Sequence, residues 1–533
     1  MTPTTPRRQD VIGLGQPGAE KNWWELITER ASLTPDRTML VDDRGRTLTF
    51  AQYRQLAEEV AAGLAAQGIE RDQIVSFQLP TMVETALVYG ALCRLGARQN
   101  PVITMLRRNE VGLIVGQLHS DWLLVPGVWR GFDHAAMAHD IASEHGCRVM
   151  EIGIDAAGPD NIVLPRGDAS TLAPYVHTTD VRFFLYSSGT TAAPKGVQHT
   201  EATLMASSNG CVECYDLNEE SALPIAFPIT HVGGPMSLLS GIRVGHRCLL
   251  VEIFDPVETP LFLSRNGATH LGSAVPFFLA YLAAQERHGR EKLFPRLHIC
   301  AGGGAPLPPE IHLRVKAELG GRGIINGYGL TECPSALSSA YSDPESAFLG
   351  TTGRECVGVE CKIVTSDGRV VGVDEEGELL VRGPQLFKGY VDATLDAEAF
   401  DDEGYFRTGD IALRTVEGYY RITGRIKDII IRNAENISAV EVENVLHTHP
   451  AVADVAVIGV PDPKTGERLC AIVVLSDGVE SLTIPDLAEH CRSNGLAVQK
   501  APERLEIIDA IPRNSMGKIL KQDLRARYVN AAK

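Results

Sequence analysis

Short apolar runs alternate with helix-like segments through most of the first 330 residues, and this alternation constrains the fold more than any other feature. The run IVSFQL at 74–79 has the length and composition of a buried strand, and residues 81–96 after it have helical spacing. Because strand–helix repetition produces parallel sheets covered by helices, we predict an α/β fold with layered parallel sheets. Similar strand-like runs recur at residues 181–186, 248–254, 268–273, 297–303 and 324–329.

A different pattern begins near residue 350, where short strands and turns such as GELLVRGP (377–384) predict a small β-rich subdomain over about 350–424. We place the main boundary at 424–428, which gives a large N-terminal domain (1–424) and a small, mobile α+β C-terminal domain (425–533). The elements predicted in the C-terminal domain are a helix (440–447), strands (452–460 and 468–476), a helix (485–494), a strand (504–508) and a final helix.

Composition restricts the partners of the chain. Its 533 residues exceed one ordinary core, and its formal charge of −17 argues against nucleic acid or an anionic membrane as the main partner. No apolar run approaches the ~18 residues that span a bilayer, so we expect a cytoplasmic enzyme acting on small molecules, with a homodimer left open. The eleven cysteines include a single CxxC, Cys211 and Cys214, and are expected to be reduced and mostly buried.

The loop YSSGTTAAPKGVQ at 186–198 is unusually rich in hydroxyl groups. Gly189 and Lys195 have the spacing of the first glycine and the lysine in a Walker A loop, but Pro194 and Gly196 flank the lysine, which excludes that motif. Hydroxyls, free amides and a lysine can still bind a polyphosphate, and a solvated polar turn is the alternative. The candidate phosphate ligands are Ser187, Ser188, Gly189, Thr190, Thr191 and Lys195.

This loop resembles the phosphate-loop signature of the adenylate-forming superfamily, which includes acyl-CoA synthetases, firefly luciferase and the adenylation domains of peptide synthetases. Ala192 stands where that signature usually has a glycine. The resemblance extends from about residue 20 to 525 through further motifs. These are PITHVGG (228–234), CAGGGAPLPPE (300–310), NGYGLTEC (326–333), GELLVRGPQLFKGY (377–390), YFRTGD (405–410), GRIKD (424–428) and PRNSMGKIL (512–520).

The resemblance implies an ATP site and assigns roles within it. Tyr328 would stack on adenine, Asp410 and Arg425 would bind ribose, Thr331 would bind the α-phosphate, and Glu332 would hold Mg²⁺. The implied catalytic residues are Lys518, which drives adenylation, with Thr331, Glu332 and Lys195. The implied ATP-binding set is the loop residues named above with Gly304, Ala305, Pro306, Asn326, Gly327, Tyr328, Gly329, Thr331, Asp410, Arg425 and Lys518.

The acyl and thiol sites are implied less sharply. Glycines beside His231 favour a roomy slot for a bulky or extended hydrophobic acid, with an aryl acid second, and backbone packing explains the glycines equally well. The candidate acyl-site residues are His231, Gly233, Gly302 and Gly303. For the hinge and CoA channel they are Lys427, Asn433, Ala434 and Asn436, where NAEN replaces the GGEN found in many related sequences.

The implied function is that of an AMP-forming acyl-CoA synthetase, with ATP, Mg²⁺ and CoA and a role in fatty-acid or lipid metabolism. An adenylating enzyme that loads a separate carrier protein is the first alternative. A non-catalytic nucleotide-binding homologue is the second, although Lys518, Glu332 and Asp410 are all present. A luciferase-like oxygenase stays formally open.

Overall fold

The computed structural model describes residues 21–154, 162–187, 194–303, 307–433, 435–514 and 517–530. The helices are α1 (Trp23–Leu33), α2 (Phe50–Ala66), α3 (Val83–Leu95), α4 (Arg108–Leu118), α5 (His134–His145), α6 (Glu201–Cys214), α7 (Gly233–Val244), α8 (Glu258–Arg265), α9 (Val275–His288), α10 (Pro309–Arg314), α11 (Glu345–Phe348), α12 (Asp396–Ala399), α13 (Ala439–Leu446), α14 (Ile484–Ser493) and α15 (Lys521–Asn530). Among these described residues no helix is long and apolar enough to cross a membrane.

The strands are β1 (Thr38–Asp42), β2 (Thr47–Thr49), β3 (Ile74–Phe77), β4 (Arg98–Pro101), β5 (Trp122–Val125), β6 (Val128–Trp129), β7 (Phe132–Asp133), β8 (Arg148–Glu151), β9 (Val181–Ser187), β10 (Lys195–Thr200), β11 (Ala222–Ile225), β12 (Arg247–Leu250), β13 (His270–Ser273), β14 (Ile299–Gly303), β15 (Ile324–Tyr328), β16 (Leu337–Ser338), β17 (Arg354–Glu355), β18 (Glu360–Val364), β19 (Gly377–Arg382), β20 (Phe406–Arg414), β21 (Tyr420–Arg425), β22 (Ile429–Arg432), β23 (Glu435–Ser438), β24 (Val452–Asp462), β25 (Gly466–Leu475) and β26 (Arg504–Ile507).

Three largely parallel sheets form the first part of the chain, as the strand–helix alternation predicts. Their strand orders are β10-β9-β4-β3-β5-β8, β11-β12-β1-β2 and β13-β14-β15-β16-β17. Helices lie between these layers, and α3 is buried along most of its length. The Tyr53 hydroxyl of α2 donates to the Ala86 carbonyl of α3 at 2.7 Å, which satisfies a polar group inside an apolar core. The α/β class with layered parallel sheets is confirmed.

The hydroxyl-rich loop begins at the end of β9, a strand parallel to β4, but it does not lead directly into a helix. The helical stretch predicted near residues 203–208 is present as part of α6, which starts at Glu201. Strand β10, which was not predicted, precedes it and runs antiparallel to β9, with Lys195 opposite Ser187. Strands β9 and β10 therefore form an antiparallel pair at a sheet edge, and residues 188–193 between them lie outside the described residues. The short run KGVQHT was too brief and too polar to be recognised as a strand from its sequence.

The β-rich subdomain and the C-terminal unit also follow the predicted patterns. Strands β18, β19, β20 and β21 form one antiparallel sheet, and the C-terminal sheet has the order β23-β22-β25-β24 with β26 beside β25. All six predicted C-terminal elements are present, whereas the β22–β23 hairpin was missed. The turn Ile426–Asp428 joins the two sheets. The division at residues 424 and 425 into two domains stays a prediction.

Candidate active site

Lys195, at the start of β10, lies beside an aromatic ring from a distant part of the sequence. Its ammonium nitrogen is 5.0 Å from the ring centroid of Tyr390, within the range of a cation–π contact. The backbone of Ser187 ends β9 opposite Lys195. Of the other predicted phosphate ligands, Ser188, Gly189, Thr190 and Thr191 lie outside the described residues, as does Ala192.

Backbone pairing to β10 is what brings Tyr390 to this place. The Lys388 amide donates to the Gln198 carbonyl at 2.8 Å, and the Gln198 amide donates to the Gly389 carbonyl at 3.1 Å. The Val391 amide donates to the Gly196 carbonyl at 2.8 Å. We call residues 388–391 the crossing segment, because they join the β-rich subdomain to the edge of the first sheet.

Glu332 is almost fully buried and is held from two directions. The Tyr390 hydroxyl donates to Glu332 Oε1 at 2.8 Å, and the Phe387 amide donates to the Glu332 carbonyl at 2.9 Å. A buried carboxylate that accepts a hydroxyl proton is fixed in orientation by a charge-assisted hydrogen bond. Glu332 is 8% exposed, so its charge is poorly screened by water.

His199 fixes the neighbouring Thr331 through its backbone. Its Nε2 lies 2.8 Å from the Thr331 carbonyl oxygen and its Nδ1 lies 2.8 Å from the Thr203 hydroxyl. Burial lowers the pKa of His199 to about 4, so the ring is neutral at physiological pH. A carbonyl oxygen only accepts, so Nε2 carries the proton of the neutral ring, and Nδ1, which faces the Thr203 hydroxyl, is unprotonated.

Asp410 joins a tyrosine and an arginine from different elements. The Tyr328 hydroxyl donates to Asp410 Oδ2 at 2.6 Å, and Arg425 Nε contacts Asp410 Oδ1 at 2.7 Å. Asp410 and Arg425 are direct partners across β20 and β21, which explains why the motifs YFRTGD and GRIKD meet in space. Burial, and the adjacent Asp410 charge, raise the pKa of Tyr328, so its phenol remains a donor.

Asn326, Gly327 and Gly329 of NGYGLTEC shape the backbone around Tyr328. Asn326 and Gly327 pair with Gly302 and Gly303 in the parallel ladder of β14 and β15. Asn326 Nδ2 also donates to the Thr351 carbonyl at 3.2 Å. A Cβ at Gly329 would lie 2.2 Å from a backbone carbonyl oxygen, so only glycine fits the turn after Tyr328.

Lys518 reaches the same region from the C-terminal unit. Arg513 and Ile519 pair antiparallel on either side of it, and we call residues 513, 514 and 517–519 the Lys518 hairpin. Its amide donates to Asn514 Oδ1 at 2.9 Å, and Arg513 Nη1 donates to the Gly517 carbonyl at 2.7 Å. A Cβ built on Gly517 would be 3.5 Å from the Ala274 side chain, which shows how closely the hairpin approaches α9.

The electrostatic surroundings of Lys518 show which groups it faces. Burial, together with the Arg425 charge, lowers the pKa of Lys518 to about 8. Asp410, Asp428 and Glu332 oppose this shift. One lysine is thus within electrostatic reach of carboxylates from the YGLTE and TGD motifs and of the turn that joins the two sheets.

The predicted hinge and channel residues lie at the start of the C-terminal unit. Lys427 is within the turn Ile426–Asp428, where Arg525 binds Asp428 at 2.9 Å. Asn433 has φ +50°, a left-handed conformation that asparagine tolerates better than most residues, which explains how it can replace a glycine. Asn436 pairs with Ile431 through the β22–β23 ladder, and Ala434 lies outside the described residues.

His231 and its glycines are built by close backbone packing. The Gly233 amide donates to His231 Nδ1 at 3.3 Å, and burial lowers the His231 pKa to about 4, so Nε2 carries the proton of a neutral ring. A Cβ at Gly302 would be 3.0 Å from Ile324, and one at Gly303 would be 3.1 Å from the Gly327 oxygen. These two glycines therefore allow close strand packing, and their place in an acyl site stays a prediction. Gly304, Ala305 and Pro306 lie outside the described residues.

The cysteines form no cross-links. All eleven are free and most are buried, as expected, including Cys214 of the CxxC pair. No group of three or more His, Cys, Asp or Glu side chains with metal-binding geometry occurs among the described residues.

Two residues of the site were missed from sequence, namely Tyr390 and His199. Tyr390 closes the quoted motif GELLVRGPQLFKGY, but nothing in the spacing shows that its hydroxyl meets Glu332, 58 positions away. His199 follows the phosphate loop directly, and its burial could not be inferred because KGVQHT has no apolar periodicity.

Comparisons with known proteins identify the family. The family model described as "AMP-binding enzyme" matches residues 27–391, and "AMP-binding enzyme C-terminal domain" matches residues 441–518. A medium-chain fatty-acid–CoA ligase of Escherichia coli is 29% identical over 96% of this chain and 91% of its own length. A salicyl-AMP ligase / salicyl-S-ArCP synthetase of Mycobacterium tuberculosis is 30% identical over 93% of this chain and 89% of its own.

The solved structures give the same result. ATP-bound MatB from Rhodopseudomonas palustris superposes with a TM-score of 0.86 and 25% identity, over 96% of this chain and all of that one. The first family model alone spans more than half of the sequence. The protein therefore belongs to the AMP-binding enzymes of the adenylate-forming superfamily, a family of AMP-forming acid ligases.

Proposed function

We propose that the protein activates a carboxylic acid with ATP, releasing pyrophosphate and forming an acyl-adenylate, and then transfers the acyl group to CoA with release of AMP. The observation that carries this proposal is the approach of Lys518 to Asp410, Arg425 and Glu332 from a separate part of the chain. Attack of a carboxylate on a phosphate brings two anions together, so a cation held among nucleotide-binding groups supplies what the reaction needs.

Asp410 is suited to hold the ribose. Its two oxygens already accept from Tyr328 and Arg425, yet a carboxylate offers about four lone-pair sites and can accept from two further hydroxyls. Tyr328 would then present its ring to adenine while its hydroxyl stays on Asp410. Lys195 and the loop residues at 187–191 would contact the β- and γ-phosphates.

Glu332 fits a magnesium ion bound together with ATP. Its Oε1 accepts from Tyr390, so the carboxylate is oriented, and it forms no ion pair with a lysine or arginine among the described residues. Mg²⁺ commonly binds one or two carboxylates together with substrate phosphates, so a lone carboxylate suffices. The ion would neutralise phosphate charge when bound.

Lys518 supplies a positive charge that is expected to stabilise the transition state more than the reactants. With a pKa of about 8 it is mainly protonated at neutral pH. Placed between the substrate carboxylate and the α-phosphate, it stabilises the added negative charge of the transition state more than either reactant alone. Loss of such a donor typically costs about 10²–10³ in rate.

The second half-reaction requires the Lys518 hairpin to withdraw so that a thiol can enter. The turn Ile426–Asp428 is the natural pivot, because one sheet ends at Arg425 and the other begins at Ile429. Lys427 is our hinge candidate, and Asn433, Ala434 and Asn436 are candidates for the thiol passage. Such hinge closure absorbs its rotation in a few residues.

The acid substrate is proposed to be an apolar monocarboxylate. His231, the candidate pocket residue, is neutral because burial lowers its pKa to about 4, so it offers no cation for a second carboxylate. The E. coli relative is named for medium-chain fatty acids, which agrees with this class. An aryl acid is the alternative, as in the salicyl-AMP ligase relative.

The test is pyrophosphate release from a panel of aliphatic, alicyclic and aryl acids, with CoA, with a holo-carrier protein, or with neither. We expect acid-dependent pyrophosphate release and stoichiometric consumption of CoA. Lys518→Ala should lose adenylation by about 10²–10³. The same variant should still transfer a presynthesised acyl-adenylate to CoA, because the lysine is withdrawn in that step.

Each contrary outcome has a distinct meaning. Thioester formation on the holo-carrier alone would favour carrier loading, the activity suggested by the salicyl-S-ArCP synthetase relative. Absence of acid-dependent ATP–pyrophosphate exchange across the panel would favour a non-catalytic nucleotide-binding protein. Equal loss of both half-reactions in Lys518→Ala would contradict the withdrawal of the hairpin.

A further inference from the structure

Tyr390 contacts both charged groups that the proposed function assigns to the phosphates. Its hydroxyl donates to Glu332 Oε1 at 2.8 Å, and its ring centroid is 5.0 Å from the Lys195 ammonium nitrogen. The side chain is 4% exposed, so both contacts are shielded from water. The reaction itself gives Tyr390 no role, since a phenol this firmly hydrogen-bonded is not a nucleophile for either substrate.

The surroundings of Tyr390 hold it in one position. Its carbonyl accepts from Gln198 Nε2 at 2.8 Å, and its amide donates to Asp396 Oδ1 at 2.9 Å. The Phe387 ring packs edge-on against it with centroids 4.9 Å apart. A residue fixed at its backbone and ring can impose its geometry on whatever its hydroxyl binds.

Lys195 and Glu332 carry opposite charges, yet they form no ion pair with each other in the structure. A direct ion pair between them would neutralise the ammonium group proposed to bind phosphate and the carboxylate proposed to bind Mg²⁺. The Tyr390 ring instead attracts the ammonium group, and its hydroxyl satisfies one carboxylate oxygen. The second oxygen of Glu332 is left for a metal ion.

We propose that Tyr390 is a positioning residue that orients Glu332 for Mg²⁺ and keeps Lys195 apart from it until ATP binds. The proposal rests on the proposed function. The hydroxyl acts on Glu332 and the ring acts on Lys195, so substitutions can separate the two effects.

The test measures equilibrium binding of α,β-methylene-ATP, a non-hydrolysable analogue, by calorimetry at increasing Mg²⁺. Tyr390→Phe keeps the ring and removes the hydroxyl. We expect its apparent Mg²⁺ affinity to fall about tenfold, the effect of losing a hydrogen bond to a charged group, with metal-free analogue binding unchanged. Tyr390→Leu should in addition weaken metal-free binding by about threefold, because Lys195 loses its ring contact.

The matched control is Tyr420→Phe in the same subdomain. Tyr420 is also buried, donates to Glu355 Oε1 at 2.6 Å and has a cation, Arg414, 5.7 Å from its ring. Its loss should lower the melting temperature about as much as Tyr390→Phe without changing Mg²⁺ dependence. In a Glu332→Gln background, Tyr390→Phe should change Mg²⁺ affinity by less than about twofold, because the pair acts as a unit.

The inference is wrong if Tyr390→Phe matches the wild type in Mg²⁺ dependence, or if the Tyr390 and Glu332 effects simply add. A wild-type protein that fails to bind the analogue at any Mg²⁺ concentration would instead contradict the proposed function. The two failures are therefore distinguishable in one titration.

Discussion

At the scale of single residues, the protonation state of Lys518 is the most informative property. A lysine on the surface stays protonated far above physiological pH, but burial and the nearby Arg425 lower this pKa to about 8. The residue is thus charged at neutral pH and loses its proton within the range of ordinary assays. Asn433 is informative in another way, because its φ of +50° is a left-handed conformation that asparagine tolerates better than most residues.

Adenylation should lose activity as the pH rises through the pKa of Lys518. Because the protonated form is the active one, kcat/KM for ATP–pyrophosphate exchange should fall about tenfold per pH unit above about 8. Bound ATP adds negative charge, so the corresponding limb of kcat should move to higher pH. Lys518→Arg, which stays protonated, should show a lower rate without the limb; an unchanged limb in that variant would assign it to another group.

At the scale of elements, the Lys518 hairpin depends on one bidentate contact. Arg513 Nη2 binds both oxygens of Asp454 on β24 at 2.8 Å, while Nη1 holds the Gly517 carbonyl. The guanidinium thereby fastens the hairpin to the C-terminal sheet. A lysine at this position could reach only one of the two partners.

Arg513→Lys should reduce adenylation about tenfold, because the hairpin loses a charge-assisted contact. Transfer from a presynthesised acyl-adenylate should be unaffected. The matched control is Arg504→Lys, since Arg504 likewise joins a carboxylate, Glu506, to a backbone carbonyl, that of Tyr528. Equal activity losses in both half-reactions, or in both variants, would show that Arg513 acts only on stability.

Elements with strong periodicity were predictable, and contacts between distant segments were not. The helix predicted over residues 81–96 is confirmed as α3, because its apolar positions repeat at helical spacing. The strand predicted over residues 452–460 is confirmed as most of β24. The pairing of β9 with β10 was missed because KGVQHT is short and polar and has no alternating apolar pattern. The motifs located Glu332 and Asp410, whereas the hydrogen bond from Tyr390 to Glu332 required the structure.

At the scale of the whole molecule, buried neutral histidines make stability depend on pH. His199, His246 and His270 are buried, and burial lowers the pKa values to about 4, 4 and 3. An unfolded histidine binds a proton below about 6.5, which these folded ones cannot do. The unfolded chain therefore gains protons first, and the folded state loses stability as the pH falls from about 6.5 toward these values.

The free energy of unfolding should fall by about 1 kcal/mol per buried histidine between pH 7.5 and 5.5. Urea titrations followed by tryptophan fluorescence at the two pH values measure the change. His270→Gln should be less stable than the wild type at pH 7.5. Its free energy of unfolding should change less with pH, because unfolding takes up as much as one proton fewer. His139→Gln, at an exposed position, is the control; equal slopes in the two variants would contradict the assignment.

The crossing segment at 388–391 has a consequence for exchanging parts between relatives. It supplies three backbone hydrogen bonds to β10, so the edge that carries Lys195 is completed by chain nearly two hundred positions later. A graft of the first sheets without this segment would leave that edge unpaired and open to other strands. Junctions for chimeras therefore belong in the turn Ile426–Asp428, where one sheet has ended and the next has not begun.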